Sequence, residues 1–176
     1  MGQKPTQPSS GPSGGAYTVQ GSDSTLHVSS LARVRDFIVL GGVGTTIGSS
    51  ADEGYYIQWS AIGDGTDWPT PATDDARAKQ SGQQSFPPEH GWITAIAGND
   101  FYGYVFQERA ITKMTYVGGD VVFNFDTFEE DRGCIALGRA VQIDDKVFFQ
   151  SDRGYHVLEN DQIADIGYGI VDDTYV

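Results

Sequence analysis

Few of the residues that do chemistry in proteins stand close together in this sequence. The three histidines, His27, His90 and His156, lie far apart in unrelated contexts. His156 alternates with Tyr155 and Val157 in a predicted strand, which favours a surface side chain or one with satisfied hydrogen bonds over a general base. No Ser, His and Asp grouping has a recognisable signature, and "GGVGTTIGS" lacks the lysine of a phosphate loop. The sequence therefore predicts no catalytic residues and no enzyme.

Carboxylate pairs are a second class of candidate site, because two acids can share glycosidase chemistry or bind calcium. Asp64 and Asp67 are separated by two residues, and Asp144 and Asp145 are adjacent. None of the acidic pairs extends into the alternating oxygen ligands of a specific calcium loop. Asp144 and Asp145 are typical of a turn between strands, where Asp bonds its own backbone. We predict no metal and no cofactor, with ion binding by Asp64 and Asp67 as the alternative.

The cysteine and the tryptophans favour a packed core over a binding site. Cys134 is the only cysteine and stands in an apolar stretch, which predicts a small buried side chain and not a nucleophile. With no partner for a disulfide, assembly in a reducing cytoplasm is expected. Trp59, Trp68 and Trp92 are candidates for a carbohydrate platform, although Trp in an aromatic-rich β-protein more often packs in the core.

Composition indicates strands and turns and excludes one large class of partner. The chain has 176 residues, with nine Tyr, nine Phe, three Trp and 23 Gly, and a net charge of −13. A surface with so few Lys and Arg cannot grip phosphates by counterion release, so tight nucleic-acid binding is not expected. No apolar run approaches a membrane helix and no apolar signal-peptide core opens the sequence, so a soluble protein without a membrane partner is expected.

The chain divides into an arm and a β-rich domain. Residues 1–24 are rich in Gly, Ser, Pro and Gln and predict a flexible arm, either loose or ordered against a neighbouring subunit. Residues 25–176 form the domain. Its first strands, Phe37–Leu40 and a segment within "EGYYIQWSAI", predict a β-hairpin. Prolines around a polar stretch predict a long loop at about 69–91, with Thr73 able to cap one helical turn.

Short apolar runs in the second half predict two four-strand antiparallel meanders. "YVFQ" at Tyr104 overlays "VFFQ" at Val147, an offset of 43 residues. A weaker third copy begins at Arg35 and would take its outer strand from Tyr56–Trp59. Units of 40 to 50 residues with four strands are what a β-propeller blade requires, so the all-β fold is predicted to contain two to three blades. A sandwich or barrel is the alternative.

Several short motifs follow one another in a distinctive order. A strand ends in Trp and Ser, an Ile-Gly-Asp turn and a second Trp follow, and two later blades carry a Tyr-x-Gly-Gly turn and an Arg-Gly-Tyr strand. The motif residues are Trp59, Ser60, Gly63, Asp64, Trp68, Tyr116, Gly118, Gly119 and Gly154. Over about residues 31–176 this order resembles the β-propeller portion of tail hub, or nozzle-type, proteins of short-tailed bacteriophages, which include packaged-DNA stabilisation factors. The chain is shorter than a typical hub protein, and its arm lies outside the pattern.

The resemblance implies a structural bacteriophage virion protein. Such a protein would assemble in the host bacterial cytoplasm into a ring-like homo-oligomer around the DNA channel of the tail. It would attach to neighbouring tail or portal-adaptor proteins and help to retain or conduct DNA, which would pass the acidic surface without tight binding. Trp92, Pro69 and Pro71 would be interface candidates. A β-rich module that binds glycans or a host surface is the alternative function.

Overall fold

The structure is an all-β arrangement of three four-stranded antiparallel sheets. A computed structural model describes residues 28–43 and 53–166, and the predicted arm and the tip of the first hairpin lie outside these ranges. Each sheet is built from consecutive strands, and within the described ranges none closes into a barrel. None of the helices in these ranges is long and apolar enough to span a bilayer.

The first sheet has the order β1 (Ser30–Val34), β2 (Phe37–Gly41), β3 (Tyr56–Trp59), β4 (Gly82–Ser85). The predicted hairpin is confirmed, since β2 and β3 pair antiparallel. Two other predictions were wrong. Tyr56–Trp59 is an inner strand and not the outer one, and the segment predicted as one loop at 69–91 contains the helix α1 (Asp74–Ala78), the strand β4 and a 3₁₀ turn.

The strand β4 escaped sequence reasoning because no local pattern encodes it, whereas the helical turn that Thr73 was predicted to cap is present as α1. The strand β4 reads Gly-Gln-Gln-Ser and has no apolar alternation, so only its pairing with β3 makes it a strand. The helix α1 is short, and the Oγ1 atom of Thr73 caps it by accepting a hydrogen bond from the Ala76 amide at 3.1 Å.

The second and third sheets confirm the predicted meanders. The second sheet has the order β5 (Ile93–Gly98), β6 (Tyr102–Gln107), β7 (Ile111–Gly118), β8 (Val122–Glu129). The third has β9 (Ala140–Ile143), β10 (Lys146–Ser151), β11 (Gly154–Glu159), β12 (Gln162–Ile166). All neighbouring strands pair antiparallel, joined by turns in which Asp144, Asn160 and Asp161 have positive φ.

The sheets stack face to face with the second in the middle. One cluster joins the first two sheets and includes Phe37, Trp59, Met114 and Phe123. Another joins the second and third sheets, where the rings of Phe106 and Phe149 lie 5.1 Å apart. The first strands of the sheets are neighbours, β1 beside β5 and β5 beside β9. We call the face of each sheet toward the next one its front face and the opposite face its back face.

The internal repeat is real, but its spacing is 44 residues and not the predicted 43. Phe106 pairs with Ile111 across the second sheet, and Gln150 pairs with Tyr155 at the matching place in the third. Both pairs are 44 residues apart in sequence. The predicted spacing came from aligning apolar residues of the two segments. A shift of one residue along a strand moves every side chain to the other face of the sheet, so that alignment superposes residues that lie on opposite faces.

Candidate functional site

A Ser, His and Asp array crosses the third sheet, at residues whose sequence context gave no signature. The Nε2 atom of His156 lies 2.6 Å from the Oγ of Ser151, and its Nδ1 lies 2.8 Å from an Oδ1 of Asp165. This order of contacts is the one found in hydrolytic triads. The array forms because the turn at 152–153 brings Ser151 back beside β11, while Asp165 is the cross-strand partner of His156.

The serine and the histidine of this array are shielded from solvent. Ser151 is fully buried and His156 is 1% exposed. The Ser151 Oγ also accepts a hydrogen bond from the Arg153 amide at 2.9 Å, which ties the turn to the strand end. Asp165, the outer member, also pairs with Arg132 from the segment before β9. The array therefore fastens β10, β11 and β12 together, and His156 has the satisfied hydrogen bonds that its context favoured.

A second polar cluster links the second sheet to the third. Asp161, in the turn between β11 and β12, accepts hydrogen bonds from the Tyr104 hydroxyl at 2.7 Å and from Lys113 Nζ at 2.6 Å. Burial and the neighbouring carboxylate raise the pKa of Tyr104. Burial alone would raise the pKa of Asp161, but the bonds from Lys113 and Tyr104 outweigh it and lower that pKa. The cluster holds two sheets in register through an ion pair.

The Trp-Ser and Ile-Gly-Asp motif folds into one hydrogen-bonded corner. Trp59 ends β3 and donates its indole N–H to the Gln80 carbonyl at 2.9 Å. Ser60 accepts from the Ile38 amide at 3.1 Å through its Oγ. Gly63 has a φ of 72°, a left-handed conformation that glycine adopts without strain. This corner carries the chain from β3 out toward α1.

The acidic and second aromatic parts of that motif also make local contacts. An oxygen of Asp64 accepts from the Thr66 amide and hydroxyl, and these bonds lower the pKa of Asp64. Asp67 pairs with Lys79 at 3.0 Å. Trp68 is 4% exposed. The two carboxylates that were the alternative ion ligands thus bind different protein groups, and no cluster of three or more potential metal ligands occurs in the described ranges.

The remaining motif residues lie at turns. The Tyr116 hydroxyl donates to Gln80 Oε1 at 2.7 Å, and the Arg35 guanidinium lies 4.5 Å from its ring centroid. Gly118 and Gly119 follow with φ of 75° and 64°, and Gly154 has a φ of 125° where β11 starts. These residues connect sheets and reverse the chain.

Burial separates the aromatic and interface candidates. Trp59 is 5% exposed and, like Trp68, lies in the core, so neither offers a ring face to a sugar. Trp92 is 47% exposed. Of the proline candidates, Pro69 is buried and Pro71 is half-buried.

Cys134 is buried between the second and third sheets, as predicted, and its Sγ lies 3.3 Å from the Ala136 carbonyl oxygen.

Comparison of the sequence with protein-family models and with curated proteins finds no match to either.

Proposed function

We propose that this protein is a structural component of a bacteriophage virion, located in a tail hub or nozzle around the DNA channel. The observation that carries the proposal is the packing of the sheets. Three consecutive four-stranded meanders stack with their first strands side by side, which is the build of adjacent propeller blades. That build agrees with the fold that the motif order implies.

The polar groups of the described residues support a mechanical role. Ser151, His156 and Asp165 fasten strands within a sheet, while Asp161 and Lys113 join two sheets. The side chains in these two groups that could do chemistry are thus engaged in hydrogen bonds and ion pairs that hold strands and sheets together. Rigid sheets of this kind suit a protein that transmits load in an assembly and performs no turnover.

The charge supports a channel role. With a net charge of −13, the protein repels a DNA backbone that approaches it. A wall of this sign lets DNA slide past without adhering, which a conduit for packaged or ejected DNA requires. We further propose that neighbouring tail or portal-adaptor proteins bind the exposed Trp92 and the segment around α1.

Localisation in purified virions tests this proposal. A gold-labelled antibody against the chain should mark one end of the tail axis in electron micrographs, and mass spectrometry should detect the chain in gradient-purified particles. An antibody to the major capsid protein is the control, and it should mark the shell. Label on the shell or on peripheral fibres, or a chain missing from purified particles, would refute the tail-hub role.

A further inference from the structure

The third sheet ends the stack with an apolar front face. Phe148 pairs across the sheet with Val141 and Val157, so these three side chains share a face. The alternate residues Val147 and Phe149 point the other way and pack against the second sheet. In a stack of sheets, the front face of the last one is where another sheet would be added.

This front face is accessible. Val141 and Ile143 on β9 are 55% and 56% exposed. A depression of about 330 Å³ lies on the face, and Val141, Phe148 and Ile166 are among its lining residues. An apolar surface of this kind, in the described part of the chain, is suited to receive an apolar side chain from a partner.

The repeat of 44 residues indicates which partner fits. The residue equivalent to Phe148 is Tyr104, which is 1% exposed because the third sheet covers it. In the first sheet, Val39 is fully buried on the corresponding face by the second sheet. Each time, the cover is the back face of a four-stranded sheet of the same build. The partner of the third sheet should therefore present such a back face.

The first sheet has a back face with one uncovered side. Leu40 and Trp68 form a buried cluster over its middle, so the chain itself covers that part. Leu31 on β1 pairs with Leu40 and shares this face, but it is 60% exposed. Among the described residues, the uncovered apolar side chains at the two ends of the stack thus include Leu31 on β1 and Val141 with Ile143 on β9.

The charges at these two positions are complementary. Arg33 lies on the same face of β1 as Leu31, and its side chain is 59% exposed, although its guanidinium pairs with Asp100 in the turn after β5. Asp144 and Asp145, both exposed, follow β9. The turns after β1 and β9 correspond in the repeat, which places the arginine and the aspartates at matching ends of the two strands. Opposite charges there favour one orientation of approach.

We propose that a second copy of this chain docks head to tail on the first, with the front face of the third sheet against the β1 side of the partner's first sheet. Two copies would bring six sheets together, within the four to eight blades of known propellers. In such a heterologous contact each copy uses two different surfaces. The two copies form a closed pair when the rotation that relates them lets both contacts form at once. The inference rests on the packing of the sheets and does not depend on a location in the virion.

Mixing two single variants tests this docking mode. The full chain, measured by sedimentation velocity from 1 to 100 µM, should form dimers of twice its 19.0 kDa mass. Leu31→Asp and Val141→Asp each place a charge in both contacts of the pair, and each should weaken dimerisation about tenfold or more. In a mixed pair, the unchanged third sheet of Leu31→Asp meets the unchanged first sheet of Val141→Asp. One of the two contacts is therefore intact, so dimers should reappear in the mixture. Val121→Asp, at another apolar residue with 66% exposure, is the matched control.

Three results would overturn the proposal. The first is a full chain that stays monomeric at 100 µM. The second is dissociation by Val141→Asp with no effect of Leu31→Asp and no rescue on mixing, which would indicate third sheets facing each other. The third is dimerisation of a chain truncated after Ile166 under conditions in which the full chain stays monomeric. This result would indicate that residues 167–176, and not a second copy, cover the front face. Circular dichroism of each variant confirms that these exposed substitutions leave the fold intact.

Discussion

At the scale of single residues, polar groups decide how firmly the sheets are held. The bond between Ser151 and His156 is buried from water, whereas Asp165 is exposed and bound by Arg132 as well. A buried polar atom that loses its partner costs more than an exposed one. The two ends of the same array should therefore respond differently to truncation.

Ser151→Ala should lower the free energy of unfolding by about 1–3 kcal/mol, because it leaves the His156 Nε2 and the Arg153 amide without their bonds. Asp165→Ala should cost less, since water can reach the exposed end of the array. Urea denaturation followed by circular dichroism measures both. Equal losses from the two variants would contradict the buried placement of Ser151.

Asp161 should make stability depend on acid. Its folded pKa is lowered from 3.8, so the stabilisation by this carboxylate is present above about pH 4 and is lost as the pH falls through the folded pKa. Asp161→Asn should cost about 1 kcal/mol at pH 7, a value reduced by the partial exposure of the group. Urea denaturation at pH 7, 5 and 3 should show the gap to the wild type shrinking in acid, with Asp120→Asn, at an exposed turn residue, as the matched control. A gap of the same size at all three pH values would contradict this role of Asp161.

At the scale of elements, a side-chain cap fixes where the short helix α1 begins. Thr73→Ala should free the Ala76 amide that Thr73 Oγ1 binds and should destabilise α1 by about 1 kcal/mol. Hydrogen exchange at Ala76 should be faster in this variant and unchanged in Thr73→Ser, which retains the hydroxyl. Unchanged exchange in Thr73→Ala would show that tertiary packing, and not the cap, holds the helix.

The sequence predicted most strands of the second and third sheets because each is a short apolar run between turn residues. It missed β4 because Gly-Gln-Gln-Ser has no alternation, and the sheet edge alone makes it a strand. It missed the array around His156 because that array joins three strands, and strand register sets which residues meet. Register is set by how the strands pair across the sheet. A run of apolar residues in the sequence does not distinguish between two registers that differ by one residue.

At the scale of the whole molecule, the second sheet carries the architecture. Both of its faces are buried, one against the first sheet and the other against the third. Neither outer sheet can lose the second sheet without exposing a cluster of aromatic side chains. The three sheets should therefore unfold together, although each is a separate hydrogen-bonded unit.

Phe106→Ala tests this coupling at the contact between the second and third sheets. The side chain is fully buried against Phe149, so its truncation should cost about 3–5 kcal/mol through lost burial and a cavity. Calorimetry should still show one unfolding transition, at a lower temperature. The reason is that the third sheet cannot detach without exposing the apolar face of the second sheet to water. Phe101→Ala, at a 75% exposed position, should leave the transition near its original temperature. Two resolved transitions in Phe106→Ala would mean that the third sheet folds independently of the other two.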